Sequence, residues 1–380
     1  PKLIYAIDSS NCDETKEYWY LTRLAAECTS KRMVPDYISE KKMFENKDGH
    51  CFPSMGCRSF LSPWYDGNGD FYAYGRFNLG VVTLNLAYVA LEANGDMNKF
   101  WALLDKYADL CFEAHMTFVK RLNKTKACVA PILWQHGAYA RLNPNDTLDK
   151  VMYDGYATIS LGYAGLYETV QALIHQSHTT DEGRELALQI MNKLNAYCEK
   201  WKKETHLAFS VYGTPMESGT YKFAKALQRD FDTMPEVNEH DYITNSYHVN
   251  VREEIDAFDK LSKESEFQSL SSGGSISYIE IPNMEKNIPA LLEVIKFIYD
   301  NNMYAECNTR TDVCDTCGFH GEMEMIKDEN GNYIWRCPNC GETNINKLNI
   351  VRRVCGYLGR ISNGVNLGRL GDIHDRVFHL

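Results

Sequence analysis

Residues 80–91 read GVVTLNLAYVAL, the most apolar window of the chain, and how this stretch is read decides the fold. It is shorter than the roughly 18 uncharged apolar residues a membrane span needs, and Thr83 and Asn85 interrupt it. Its first part, Gly80 to Leu86, is rich in β-branched residues and reads as a strand. A long segment follows, Asn98 to Asn123, in which Phe100, Leu103, Leu104, Tyr107, Leu110, Cys111, Ala114 and Phe118 recur on one helical face. The same alternation runs outward in both directions. Residues 3–7, 128–133, 207–212, 243–249 and 275–281 read as strands. Residues 14–29, 162–175, 183–204, 217–228, 253–263 and 284–302 read as helices. Strands alternating with helices imply βαβ units, a mainly parallel sheet, and functional residues at the strands' carboxyl ends, so an α/β barrel or part of one fits best.

The 380 residues are 44% hydrophobic and 24% charged, which excludes disorder as the main state and suits one large domain or two to three smaller ones. The net charge is 40 − 51 = −11, a field that repels polyanions, so no nucleic-acid partner is expected, and the absence of a long apolar run argues for a soluble protein. The chain opens on Pro1, and residues 3–7 already read as a buried strand that needs neighbours on both sides; a fragment, or the later part of a split protein, is expected. Thirteen cysteines in a large acidic chain without a signal peptide do not form a secreted disulfide framework, and a reducing cytoplasm is the expected location.

Composition changes near residue 306, dividing the chain into a partial barrel (1–305), a cysteine-rich insert (306–350) and a glycine- and arginine-rich tail (351–380). Within the insert, Cys314, Cys317, Cys337 and Cys340 form two CxxC pairs separated by nineteen residues, the spacing of a four-cysteine zinc ribbon. Two residues between thiolates let both sulfurs turn onto one ion. With all four ligands supplied by the protein the tetrahedron is closed, so the zinc is expected to be structural. The insert carries eight acidic and four basic side chains, which again argues against nucleic acid.

The tail opens with VRRVCGYLGR (351–360) and continues to Asn366 and Gly368. Upstream, SMGCRSFLS (54–62) is followed by RFNLGVVTLNL (76–86). Together these resemble the glycyl-radical signature and the finger loop of class III, anaerobic ribonucleoside-triphosphate reductases. The resemblance extends through CTSKRMVPD (28–36), APIL (130–133), SLGYAGLYE (160–168), YGTPMES (212–218), TNSYHV (244–249), SSGGSISYIEIP (271–282) and GET (341–343). A radical carrier has to be glycine: without a side chain the Cα radical becomes planar and spreads over the flanking amides. A cysteine S–H bond is close in strength to that Cα–H bond, so hydrogen passes reversibly between the two.

The resemblance implies the second half of a ten-stranded α/β barrel with its finger loop at about 51–62, a four-cysteine zinc ribbon and a C-terminal radical loop. It implies Gly356 as radical carrier, Cys57 as thiyl, and Ser59 and Asn78 as polar groups beside the ribose and the formate reductant, with Met55 on the same loop. Thr214, Pro215, Met216 and Glu217 would bind substrate phosphates with a helix N-terminus; the family's usual TPAE here reads TPME. A separate radical S-adenosylmethionine activase with a [4Fe–4S] cluster would install the radical. A homodimer, formed through the part upstream of Pro1, is also implied. The second active-site cysteine of formate-using members has no counterpart in this chain. Cys12, Cys28, Cys51, Cys111, Cys128, Cys198 and Cys307 read as packing or surface thiols, and Cys355 as support for the radical loop. Two other readings remain open: acyl-cleaving or dehydratase radical chemistry, against which a single finger cysteine speaks, and a zinc-ribbon interaction module in which Gly356 is a turn.

Overall fold

The structure is a computed structural model that describes residues 2–136, 141–353, 358–361 and 365–380. Its barrel strands are β1 (Ile4–Ile7), β2 (Asp36–Ser39), β3 (Asn78–Asn85), β4 (Thr158–Ala164), β5 (Ala208–Gly213), β6 (Ser277–Glu280) and β7 (Tyr304–Asn308). The helices are α1 (Trp19–Arg32), α2 (Glu40–Asn46), α3 (Leu86–Ala93), α4 (Met97–Asn123), α5 (Pro131–Trp134), α6 (Leu166–Ile174), α7 (Asp181–Thr205), α8 (Gly219–Asp230), α9 (Ala257–Leu270), α10 (Ile288–Asn301) and α11 (Leu367–Asp375). None of the described helices is long and apolar enough to cross a membrane.

Strands β3, β4 and β5 run parallel in that order. A parallel bridge between Tyr212 and Gly274 carries the order on to β6, which pairs in parallel with β7. Five parallel strands therefore follow one another, with helices in the crossovers as βαβ units require. Beyond β7 the direction reverses: β2 pairs antiparallel with β7, and β1 parallel with β2.

The sequence TISLGYA of β4 shows why this sheet has two unlike faces. Ile159, Leu161 and Tyr163 point outward into the main core beneath the helices, and all three are fully buried. The alternate residues Thr158, Ser160 and Gly162 face the barrel interior, where Asn78 bonds both hydroxyls. Side-chain caps set several helix starts: Asp96 accepts from Lys99 N, Thr180 from Gly183 N, and Asp256 from Phe258 N and Asp259 N.

Three sequence expectations change. Residues 128–133 form no strand: a 3₁₀ turn (Ala127–Val129) leads into α5, with Pro131 at its first position. Residues 243–249 form no strand either, because buried carboxylates take the backbone donors a ladder would use. Thr244 N donates to Glu168 (2.7 Å) and Val249 N to Glu264 (3.0 Å). The helix expected over 162–175 begins at Leu166, its first residues belonging to β4.

After β7 come the short strands β8 (Asp312–Cys314), β9 (His320–Gly321), β10 (Glu324–Lys327), β11 (Tyr333–Arg336) and β12 (Leu348–Asn349), then β13 (Val351–Arg353) and β14 (Leu358–Arg360), which pair antiparallel. Cys314, Met323, Trp335, Cys337, Leu348 and Ile350 share a small core with Ile361 and Ile373 from the tail, so the ribbon and the tail are packed together.

Candidate active site and metal centre

The finger loop turns back on itself where Met55 N donates to Ser59 O at 2.7 Å. Its returning arm lies against Gly273 and Gly274. Phe60 N donates to Gly273 O at 2.9 Å, and a Cβ on Gly274 would stand 2.1 Å from Arg58 O, so only glycine admits the finger at this point. The same two glycines are tied to β5 through Gly273 N to Val211 O (2.8 Å) and Gly213 N to Gly274 O (2.9 Å). The finger is thus seated on the barrel wall.

Cys57 is half-buried on this loop, and its carbonyl is well anchored. Lys2 Nζ donates to Cys57 O at 2.6 Å and also pairs with Asp36 (2.8 Å) and Glu306 (3.2 Å). Tyr304 Oη donates to Asp36 at 2.7 Å. Arg353, at the end of β13, pairs with Glu306 at 2.6 Å and donates to Asn308 Oδ1 and Met33 O, both at 2.9 Å. Burial pushes the Glu306 carboxyl well above the ordinary carboxylate range. Burial also opposes ionisation of Asp36, but its bond with Glu306 and the charges of Arg353 and Lys2 prevail and hold its carboxyl below the usual value. The two carboxyls are thus pushed in opposite directions, Glu306 up by burial and Asp36 down by its neighbours.

Beside Cys57, Arg58 is fully buried and donates to Tyr278 Oη at 2.9 Å. It approaches His248 Nε2 at 3.5 Å, and burial lowers the His248 pKa to about 4, so the ring is neutral and can accept.

Ser59 and Asn78 belong to one polar row. Asn78 Nδ2 donates to Thr158 Oγ1 (2.9 Å) and Ser160 Oγ (2.8 Å), and Asn78 Oδ1 accepts from Gly80 N (2.8 Å). Ser160 is in register with Ser210 on β5. Ser210 Oγ lies 2.5 Å from where a Gly273 Cβ would stand, and Ser59 Oγ reaches Gly273 O at 3.5 Å. Thr214 and its neighbours are elsewhere: they follow β5, whereas Asn78 opens β3 level with the start of β5, about 20 Å away along the strands. Thr214 Oγ1 lies 3.0 Å from Thr83 Oγ1. Met216 is buried, Pro215 half-buried and Glu217 exposed. Met55 is exposed at the finger tip. Gly356, with Cys355 and Tyr357, lies outside the described residues.

The four ribbon cysteines come together. Their sulfurs all lie within 4.8 Å of one another, with Cys314–Cys340 and Cys317–Cys337 separations of 3.7 Å. A tetrahedron of thiolates about 2.3 Å from zinc has edges of about 3.8 Å, so the set fits one ion. Within the ribbon Leu348 pairs in register with Cys314, and the tail is tied on by Arg352, which donates to Asp312 at 2.8 Å while its guanidinium lies 5.0 Å from the Trp335 ring centroid.

Sequence reasoning did not find Lys2, Asp36, Glu306 and Arg353 as a group. Asp36 and Arg353 stood inside quoted motifs, but the four come from parts of the chain up to 351 residues apart, and no spacing rule joins them.

Comparison with known proteins bears on the whole chain. The profile of a family described as anaerobic ribonucleoside-triphosphate reductase matches residues 1–379. The Escherichia coli K12 protein of that name is 39% identical over 385 residues, covering all of this chain and 53% of the relative. The bacteriophage T4 protein is 40% identical over 390 residues, with 62% of it covered. This chain thus spans about half to three-fifths of the length of these relatives. Among solved structures, an anaerobic ribonucleotide reductase superposes with a TM-score of 0.68 at 18% identity, over 100% of this chain and 55% of that one. A structure titled for 1,2-propanediol dehydration in Roseburia inulinivorans gives 0.62 at 11% identity, over 100% and 53%. These likenesses show the fold: the second half of a ten-stranded α/β barrel of the glycyl-radical type, with a four-cysteine ribbon. The chain belongs to the anaerobic ribonucleoside-triphosphate reductase family.

Proposed function

We propose that this chain is the radical-bearing C-terminal portion of an enzyme that reduces ribonucleoside triphosphates to 2′-deoxyribonucleoside triphosphates without oxygen, for DNA synthesis. One observation carries the reading. Cys57 O, Lys2, Glu306 and Arg353 form a continuous run of contacts, and Arg353 stands three residues before Gly356. The finger cysteine and the approach to the radical loop are held by the same charge cluster, as hydrogen transfer between them requires.

In this reading a separate activase, with a [4Fe–4S] cluster and S-adenosylmethionine, removes hydrogen from Gly356 Cα. The Gly356 radical then takes a hydrogen atom from Cys57 Sγ. The sulfur abstracts the 3′ hydrogen of the ribose, and the 2′ hydroxyl leaves as water after taking up a proton. Formate gives its hydrogen and two electrons to the sugar, where they make the new C2′–H bond, and leaves as carbon dioxide. The 3′ hydrogen returns from Cys57, whose sulfur recovers a hydrogen atom from Gly356. Ser59 and Asn78, on one polar row, orient the ribose hydroxyls and formate, with Met55 beside them. Thr214, Pro215, Met216 and Glu217 hold the phosphates at the start of α8, where amides and helix dipole favour anions. The packed strands keep water and oxygen from the radical. Zinc in the ribbon is structural. The partners are the activase and the upstream barrel strands, through which the enzyme is a homodimer, in the cytoplasm.

The test is anaerobic activation of the full-length reductase. The organic radical signal is expected to vanish in Gly356→Ala and to persist in Cys57→Ala, which makes no deoxynucleotide. Product from Cys57→Ala overturns the assignment.

A further inference from the structure

The motif Asn366-Leu367-Gly368-Arg369 opens α11, downstream of the radical loop. Asn366 Oδ1 accepts from Arg369 N at 2.9 Å and caps the helix. A Cβ on Gly368 would stand 2.1 Å from Asp241 O and 2.9 Å from the Tyr221 ring, so glycine alone lets α11 come this close to α8. That approach brings Arg369, only 5% exposed, to the turn between β5 and α8. There Arg369 Nη2 donates to Met216 O (2.8 Å) and Glu217 O (3.0 Å). Its Nη1 pairs with Asp372, which Arg376 also holds, at 3.0 Å.

A guanidinium is a rigid planar donor, and Asp372 fixes its orientation. A trans peptide points its N–H opposite to its C=O. Carbonyls 216 and 217 turned toward Arg369 therefore turn the amides of Glu217 and Ser218 away from α11. They join the first amides of α8, whose N-cap residue Ser218 makes no side-chain cap.

We propose that Arg369 is a positioning residue that shapes the 214–217 loop for substrate phosphates and makes that shape conditional on docking of α11. The inference rests on the phosphate role of this loop proposed above. Because α11 and the radical loop share the tail of residues 351–380, phosphate binding and seating of the tail are linked, and by reciprocity each favours the other by the same factor.

The experiment uses the activated full-length reductase. Arg369→Lys is expected to raise the KM for a ribonucleoside triphosphate about tenfold, within the usual range for coupled sites, while kcat per radical spin stays within about twofold. Asp372→Asn, which keeps the guanidinium but loosens it, is expected to give a smaller rise of the same sign and serves should the lysine variant not fold. In hydrogen–deuterium exchange, substrate should slow residues 214–221 and 366–375 in the parent, but only 214–221 in Arg369→Lys. Unchanged KM in both variants beside a raised KM in Thr214→Ala overturns the coupling and leaves the phosphate loop standing. Unchanged KM in all three removes the phosphate role itself, and the coupling with it. Loss of radical with unaltered KM in the remaining active fraction would reduce Arg369 to a folding role and overturn the inference.

Discussion

Arg352 and Arg353 are adjacent in the chain, yet they serve different parts of the molecule. On β13 successive side chains point to opposite faces. Arg352 turns to the ribbon, where Asp312 and the Trp335 ring receive it. Arg353 turns to the barrel, where Glu306, Asn308 and Met33 hold it. The strand that leads toward Gly356 is therefore gripped from both sides. The grips differ in kind: the ribbon side depends on a small core beside the four cysteines, the barrel side on a charge cluster, buried except for Lys2, that also holds Cys57 O.

Removing the metal should be the harsher insult, because structural zinc contributes about 10–16 kcal/mol in small peptides, more than any single ion pair. Chelation or Cys337→Ser is expected to release about one zinc per chain and to lower the radical yield through the Cys314–Leu348 and Asp312–Arg352 contacts, read by metal analysis and spin counting. A metal-free protein with full radical yield would show that the ribbon grip is dispensable.

On the barrel side the two carboxyls should respond unequally. Asp36→Asn removes a carboxyl that Lys2 and Arg353 hold toward its ionised form and is expected to cost about 3 kcal/mol in denaturant unfolding, whereas Glu306→Gln replaces one whose ionisation burial opposes and should cost less than about 1 kcal/mol. The sign with pH follows. The Glu306 pKa is raised by folding, so its contribution is full below the ordinary carboxylate value and is lost as pH rises through the raised one; Glu306→Gln should remove that decline. The Asp36 pKa is depressed, so its contribution is present above the ordinary value and is lost as pH falls through the depressed one. Equal costs for the two variants would mean that the two carboxyls are not pushed in opposite directions.

The smallest effect is expected from Arg352→Lys. Lysine keeps the charge but loses the bidentate geometry toward Asp312 and the guanidinium contact over the Trp335 ring, about 1–2 kcal/mol in melting of the ribbon. A change in Cys57-dependent turnover at unchanged radical yield would mean that the two grips are not separable.

What could be read directly from the chain was local. The CxxC spacing brings sulfurs together over a few residues, and the periodic faces of α4 and α7 appear wherever apolar residues recur every three or four positions. β4 escaped such reading because its inner face carries Thr158, Ser160 and Gly162, whose smallness has meaning only against Asn78 and Thr83 on the neighbouring strand β3 and Thr214 after β5. Residues 243–249 looked like a strand because their composition is right, but Glu168 and Glu264, remote in sequence, take their backbone donors.

The sequence by itself determined the family motifs, the alternation of strands and helices, and the four-cysteine set, because each depends on neighbours a few residues apart or on whole words of sequence. Only the tertiary structure decided that Lys2, Asp36, Glu306 and Arg353 meet in one charge cluster, that burial raises the Glu306 carboxyl while its neighbours hold that of Asp36 down, and that Arg369 reaches carbonyls 216 and 217. Those outcomes depend on which distant charges are taken out of water together, and the cost of burying a charge is set by what surrounds it in space.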